Sequence, residues 1–279
     1  MIRNRDLEFV VLLVVVLSLP WPAVADSPTS GNSARITALV EATKDSDHSV
    51  REAAIRALAR IDGPEVVKRL MELMQEPNGE IRYQAAKILA SRKRPECLDA
   101  FISALGDLYP RVRTEAARGL GQIEDPKAVG PLVDALSAPD NTTQDTARES
   151  LVKFGDAAVP ALSKALAARY TIRVQIVECL SRIGTEPALT ALRDAMKDTD
   201  WRVRDAAIRK LGGSRLERRD LLLLCNATSD SIPAVRLSAV ERLRSHAGNG
   251  SVKTALIQAL EDSCAAVRAL ALGSLERSD

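Results

Sequence analysis

One pattern returns along the chain and limits its fold more than any other feature. Residues 45–58 read DSDHSVREAAIRAL, residues 107–120 read DLYPRVRTEAARGL and residues 198–211 read DTDWRVRDAAIRKL. The Val or Ile before the arginine serves as a register mark. It stands at Val50, Ile81, Val112, Ile172, Val203, Val235 and Val267, and an altered copy at Thr143 is fixed by Leu151 eight residues on. Successive marks lie 29 to 32 residues apart, so eight copies fill residues 33–279. A period in this range means stacked units, none of which buries its apolar face alone.

Each copy carries two helical stripes. In the second, VREAAIRALARI places Val50, Ala54, Leu58 and Ile61 on one face at spacings of four, four and three. In the first, PEVVKRLMELM offers Val66, Val67, Leu70, Leu73 and Met74. Pro64, Pro95, Pro126 and Pro187 stand at or near the start of first helices, where a missing N–H does no harm. Gly63, Gly155 and Gly184 punctuate the turns before them. Composition agrees: 46% of residues are hydrophobic but only 3% aromatic, so the apolar bulk is Ala, Leu, Val and Ile. That mixture suits close-packed helices and is poor in the aromatics a β-sandwich uses. Small pairs such as Ala53-Ala54, Ala85-Ala86, Ala116-Ala117 and Ala206-Ala207 let neighbouring helices approach.

The arginine after the mark recurs as Arg51, Arg82, Arg113, Arg173, Arg204, Arg236 and Arg268. An acid five residues before the mark recurs as Asp45, Glu76, Asp107, Asp198, Asp230 and Asp262. A catalytic pair is needed once, in one pocket. A pair present in nearly every unit reads as a tie along the stack, because the guanidinium fork grips a carboxylate at two points. The sequence leaves open whether each arginine bonds within its own repeat or to the next. In copy four Gln144 replaces the arginine, Ala138 the acid and Thr143 the aliphatic, which reads as a joint loss. Copy five is two residues short, trimmed in both turns around its first helix. A change of curvature or a looser seam is therefore expected near residues 137–172.

Candidate contact residues are those that leave the repeat pattern. Six residues after the mark stand Arg56, Lys87 and Arg118, and with Arg60 they make a basic patch on the second helices of the first three repeats. Glu149, Glu178 and Glu241 occupy the same position later. They interrupt the basic track that a bound nucleic acid requires, and the net charge is only +2, so no nucleic acid is expected. Tyr170 and Trp201 fall at one turn position in adjacent repeats, and large rings of this kind anchor partners. The other reading of each feature is solvated helix surface or a cover for helix ends.

Catalytic and metal-binding patterns do not appear. The two histidines, His48 and His246, lie six repeats apart, and there is no HExxH, P-loop, GxGxxG or GxSxG. No metal, cofactor or enzymatic activity is expected. The four cysteines, Cys97, Cys179, Cys225 and Cys264, lack zinc spacing. Cys225 and Cys264 belong to neighbouring repeats, where a bridge is one reading and two half-buried thiols the other.

Residues 1–25 are a different material. Arg3 and Arg5 precede an apolar run from Phe9 to Leu19, then Pro20, then Ala23-Val24-Ala25. This is the layout of an export signal with cleavage near Ala25, an uncleaved anchor being the alternative. A short linker, 26–32, follows, and no membrane span is expected in the mature chain. The expected location is periplasmic or extracellular.

The pattern D…VRxxAAxxL, with PxAxxxLxxAL, resembles HEAT repeats, in particular the short HEAT-like repeats of phycobilin lyases. The resemblance covers residues 33–279. It implies an all-α fold, a right-handed α-α superhelix or α-solenoid of about eight two-helix repeats, with first helices convex and second helices concave. It implies a scaffold or binding surface more often than an enzyme. The expected function is therefore that of an exported, non-enzymatic scaffold which binds a partner protein through its concave face or turn edge. The alternative is a bilin lyase-like or lyase-associated subunit, against which the export signal stands. Leu270, Leu272 and Leu275 lie in the last copy without a polar capping helix after them, so self-association through that repeat is a further expectation.

Overall fold

The computed structural model describes residues 30–168, 170–211 and 216–276. The segment read as an export signal, and most of the linker, lie outside them. Every regular element among the described residues is helical. The helices form eight consecutive pairs. They are α1 (Ser30–Ala42) with α2 (His48–Ala59), α3 (Pro64–Leu73) with α4 (Gly79–Arg92), and α5 (Leu98–Ala104) with α6 (Pro110–Ile123). Then follow α7 (Val129–Ala135) with α8 (Asn141–Phe154), and α9 (Val159–Ala168) with α10 (Arg173–Ile183). The last three pairs are α11 (Glu186–Ala195) with α12 (Trp201–Lys210), α13 (Arg218–Ala227) with α14 (Pro233–Leu243), and α15 (Gly250–Gln258) with α16 (Ala265–Leu275). Each pair is one copy of the sequence repeat. None of these helices is long and apolar enough to cross a membrane.

By packing, the chain divides into a unit ending at Leu58 and a larger one beginning at Ala59. In the first unit, Ile36, Leu39 and Val40 of α1 and Ala54, Ala57 and Leu58 of α2 are buried. In the second, the core is a succession of inter-helix layers. Val66, Val67, Leu70 and Leu73 of α3 are buried, as are the register marks Ile81, Val112, Ile172, Val203, Val235 and Val267. The stripes read from the sequence are thus the faces that leave water. Each fully buried aliphatic side chain contributes roughly 1.5–3 kcal/mol.

The inter-repeat turns explain the glycines. Gly63, Gly155 and Gly184 have φ of 139°, 55° and 67°, conformations that a Cβ resists. Lys93 and Glu124 fill the left-handed position after α4 and α6. Pro64 opens α3, while Pro95 and Pro126 open the 3₁₀ turns leading into α5 and α7. Gly121 marks a close helix approach: a Cβ there would lie 2.5 Å from Ser150 Cβ, so α6 and α8 meet with no room for alanine.

Candidate functional site

The repeated arginine and acid form a ladder along the turns that lead into the second helices. In Arg82, Nε and Nη2 donate to the two carboxylate oxygens of Asp107 in the next repeat, at 2.7 and 2.8 Å. Its Nη1 donates to the carbonyls of Glu76 and Pro77 in its own turn. Arg204 grips Asp230 and Arg236 grips Asp262 with the same fork, while each Nη1 holds its own turn. Arg173 reaches Asp198 at 2.7 Å. Arg51 and Arg268 bond the carbonyls of Asp45 and Asp262 in the same way. Arg82, Arg113, Arg204 and Arg236 thus each tie both their own turn and the next repeat. Asp107, Asp198, Asp230 and Asp262 are also doubly used, since each accepts the amide two residues on, as Asp45 does in the first repeat.

These pairs are largely sheltered, and their electrostatics follow. The hydrogen bond from Arg236 holds the Asp262 carboxyl below its ordinary range. Burial pushes Asp107 and Asp230 upward, but Arg82 and Arg204, together with the amides of Tyr109 and Ile232, outweigh it and both end low. The carboxylates stay charged because their partners are fixed. This is a structural constellation that ties turn to turn.

The altered fourth copy needs a correction. Ala138 does not leave the rung empty, because Asp140, two residues later, accepts from Arg113 Nε and Nη2 and caps α8 through the Thr143 amide. Gln144 keeps the contact to its own turn, at 2.7 Å to the Ala138 carbonyl. What it lacks is the fork that reaches the next repeat, and there Ala167-Ala168 stand where the acid belongs. The two losses that belong together are therefore Gln144 and the fifth-copy acid, on opposite sides of one seam.

A different feature occupies the face built by the second helices. A groove of about 740 Å³ runs across α12, α14 and α16, lined by Arg209, Leu237, Ser238, Glu241, Arg242, Ala266, Ala269 and Leu270. Its floor is apolar because the repeat changes character there. The residue before the register mark reads Ser49, Glu80, Arg111, Thr142, Thr171 and Arg202 in the first six copies, then Ala234 and Ala266. Two residues after the mark, Leu237 and Ala269 follow Asp145, Val174 and Asp205, so the last two copies are apolar there in succession. Sequence reasoning looked six residues after the mark and missed this switch. Arg209 and Glu241, at that sixth position, do line the groove.

The comparisons with known proteins agree with this architecture. A family profile of HEAT repeats matches residues 25–82, 67–152, 131–212 and 159–243. The chain belongs to the HEAT-repeat family. Its fold is an all-α solenoid, and among solved structures it is similar to the karyopherin Kap121p bound to the extreme C-terminus of the protein phosphatase Cdc14p. That match has 13% identity and a TM-score of 0.60, and it covers 92% of this chain and 34% of the karyopherin, so the chain spans about a third of that protein. Human deoxyhypusine hydroxylase in complex with glycerol matches at 19% identity and a TM-score of 0.41, over 89% of this chain and 97% of that one. The complex of CpcE and CpcF of phycocyanin lyase from Nostoc matches at 23% identity and a TM-score of 0.39, over 79% and 97%. No curated protein matches the chain.

The sequence-based contact candidates of this HEAT array fall in several places. Arg56, in the first unit, is exposed and pairs with Glu52 at 3.1 Å. Arg60, Lys87 and Arg118 are exposed in the second unit. Lys87 stands 5.9 Å from the Tyr83 ring and Arg118 is turned onto Glu115 at 3.2 Å, so part of the basic patch is answered locally. Trp201 opens α12 with 38% of its surface exposed, and Arg202 lies 5.8 Å over its ring. Tyr170 belongs to a 3₁₀ turn, and its side chain lies outside the described residues.

The thiols settle into structural roles. All four cysteines are free. Cys225 on α13 approaches the Ser251 carbonyl at the start of α15, whereas Cys264 caps α16 beyond the end of α15. The rise along α15 separates these places by roughly 15 Å, far beyond disulfide reach. The bridge reading is thus corrected. Burial raises the Cys97 thiol to about 11 and Cys179 to about 12, which leaves both protonated and unreactive.

Proposed function

We propose that this protein is an exported, non-enzymatic scaffold that holds a segment of a partner protein on the second-helix face of repeats six to eight. The observation that supports it is the groove floored by Leu237, Ala266, Ala269 and Leu270, an apolar inner face in repeats where the residue before the register mark, polar or charged in the first six copies, has become alanine. Apolar surface presented inside a charged rim is the usual form of a protein-binding site. Trp201, on the turn edge of the same repeats, extends the surface with one exposed ring. Export rests on the layout of residues 1–25.

The test is capture from the cell envelope by the full chain, comparing wild type with Leu237→Asp/Leu270→Asp. Proteins held by the wild type should be lost by a folded double variant. An unchanged set of retained proteins sinks the groove as the binding site. Cell fractionation with N-terminal sequencing tests export separately, with a mature start near Asp26 as the expected result.

A further inference from the structure

The groove is not uniformly apolar, and the setting of Arg209 says what the occupant carries. Arg209 on α12 lines the groove, yet its orientation is fixed from both sides. Nε donates to Asp205 Oδ1 on α12 and to Ser238 Oγ on α14, both at 3.1 Å. Ser238 in turn donates to the same Asp205 oxygen at 2.5 Å, closing a three-membered network across the two helices. Only the Nε edge of the guanidinium is used. Its Nη1 and Nη2 hydrogens have no partner among the described residues, and 62% of the side chain is exposed. A guanidinium held in place from behind, with its outer donors unspent, is arranged to take a carboxylate with little loss of conformational freedom. The rim agrees in charge. Arg242 also lines the groove but is engaged with the Leu211 carbonyl at 2.6 Å, and the acid of the rim, Glu241, is turned to Arg244 at 3.4 Å.

The floor restricts the occupant in a second way. Leu237, Ala266, Ala269 and Leu270 offer side chains with no donor or acceptor. An extended peptide laid there leaves backbone N–H and C=O groups facing hydrocarbon, at a cost for each. A helix satisfies its own backbone and presents only side chains. We propose that the occupant is an amphipathic helix of the partner, which seats aliphatic or aromatic side chains on the floor and an aspartate or glutamate against Arg209. This rests on the groove being the binding site.

The test uses a displayed library of helix-forming peptides of random surface composition, selected on the full-length protein. Selected peptides should carry apolar residues at helical spacing with an acid at the border of the stripe. For the best peptide, replacing that acid by glutamine should weaken binding about tenfold, the effect of one charge-assisted contact. On Arg209→Gln protein the acid and glutamine peptides should bind alike, and fresh selection should keep the apolar stripe without the acid. Selection of apolar peptides with no acidic preference by the wild type overturns the carboxylate inference and leaves the groove standing. Equal affinity of the acid and glutamine peptides for wild type does the same. Undiminished binding to Leu237→Asp of native helicity, or no binders to wild type at all, overturns the groove itself.

Discussion

Two neighbouring seams of this array are built from the same repeat and held differently. Between repeats three and four, Arg113 grips Asp140, the hydroxyls of Thr114 and Thr143 meet at 3.2 Å, and Ser150 Oγ donates to the Ala117 carbonyl at 2.9 Å. The backbones are close enough that Gly121 fits against Ser150 only for want of a side chain. Between repeats four and five the rung is missing among the described residues, since Gln144 bonds its own turn and the acid is alanine. On the helices that face each other there, Arg148 Nε and Gln175 Oε1 are buried with no partner among the described residues. The difference teaches that the stack is not uniformly tied. In such an array the weakest interface sets where local opening begins.

The largest effect should come from Asp140, which serves the tight seam twice, as rung and as cap. Asp140→Ala should cost about 3 kcal/mol in denaturant unfolding, the sum of a charge-assisted pair and an N-cap. Asp140→Asn keeps the cap and should lose about half of that. A loss below ~1 kcal/mol for the alanine variant would mean that this seam owes its strength to packing alone.

Acid should narrow the contrast. Burial pushes Asp140 upward, but Arg113 and the Thr143 amide hold it below the ordinary carboxylate value. A carboxylate depressed in the folded state stabilises fully above its unfolded value of about 3.9, and that contribution is lost as pH falls through the folded value. The Tm gap between wild type and Asp140→Asn should therefore be full near neutral pH and close in strong acid. A gap that stays constant shows that the Arg113 pair carries no pH-dependent stability.

The smallest expected effect is a gain. Gln144→Arg with Ala168→Asp supplies both halves of the missing rung and should add about 1 kcal/mol, with slower amide exchange through residues 137–172. Exchange in that stretch already as slow in wild type as in residues 107–123 would remove the contrast between the seams.

Much of this was legible in the sequence, for a physical reason. Helical spacing and burial are the same fact seen twice, so Val66, Val67, Leu70 and Leu73 could be placed in the core from their order alone. The repetition of arginine and acid identified a tie, but its direction depends on how neighbouring turns abut, which no single repeat contains. For the same reason Ala138 read as a lost acid, although Asp140 reaches the fork from one turn position further on. The groove was missed because it is written as an absence. Alanine at 234 and 266 looks ordinary until it is set against the serine, threonine and charged residues of the other copies.

The split defect between copies four and five has a consequence for how copy number can change. Removing copy four alone would bring Arg113 against the alanines of copy five. Removing copy five alone would bring Gln144 against Asp198. Either single excision carries the gap along unchanged, and only loss of both copies together lets Arg113 meet Asp198 in an unbroken series. Once divided between two adjacent units, such a defect is heritable through single gains and losses, and it marks a fixed address in an otherwise interchangeable series.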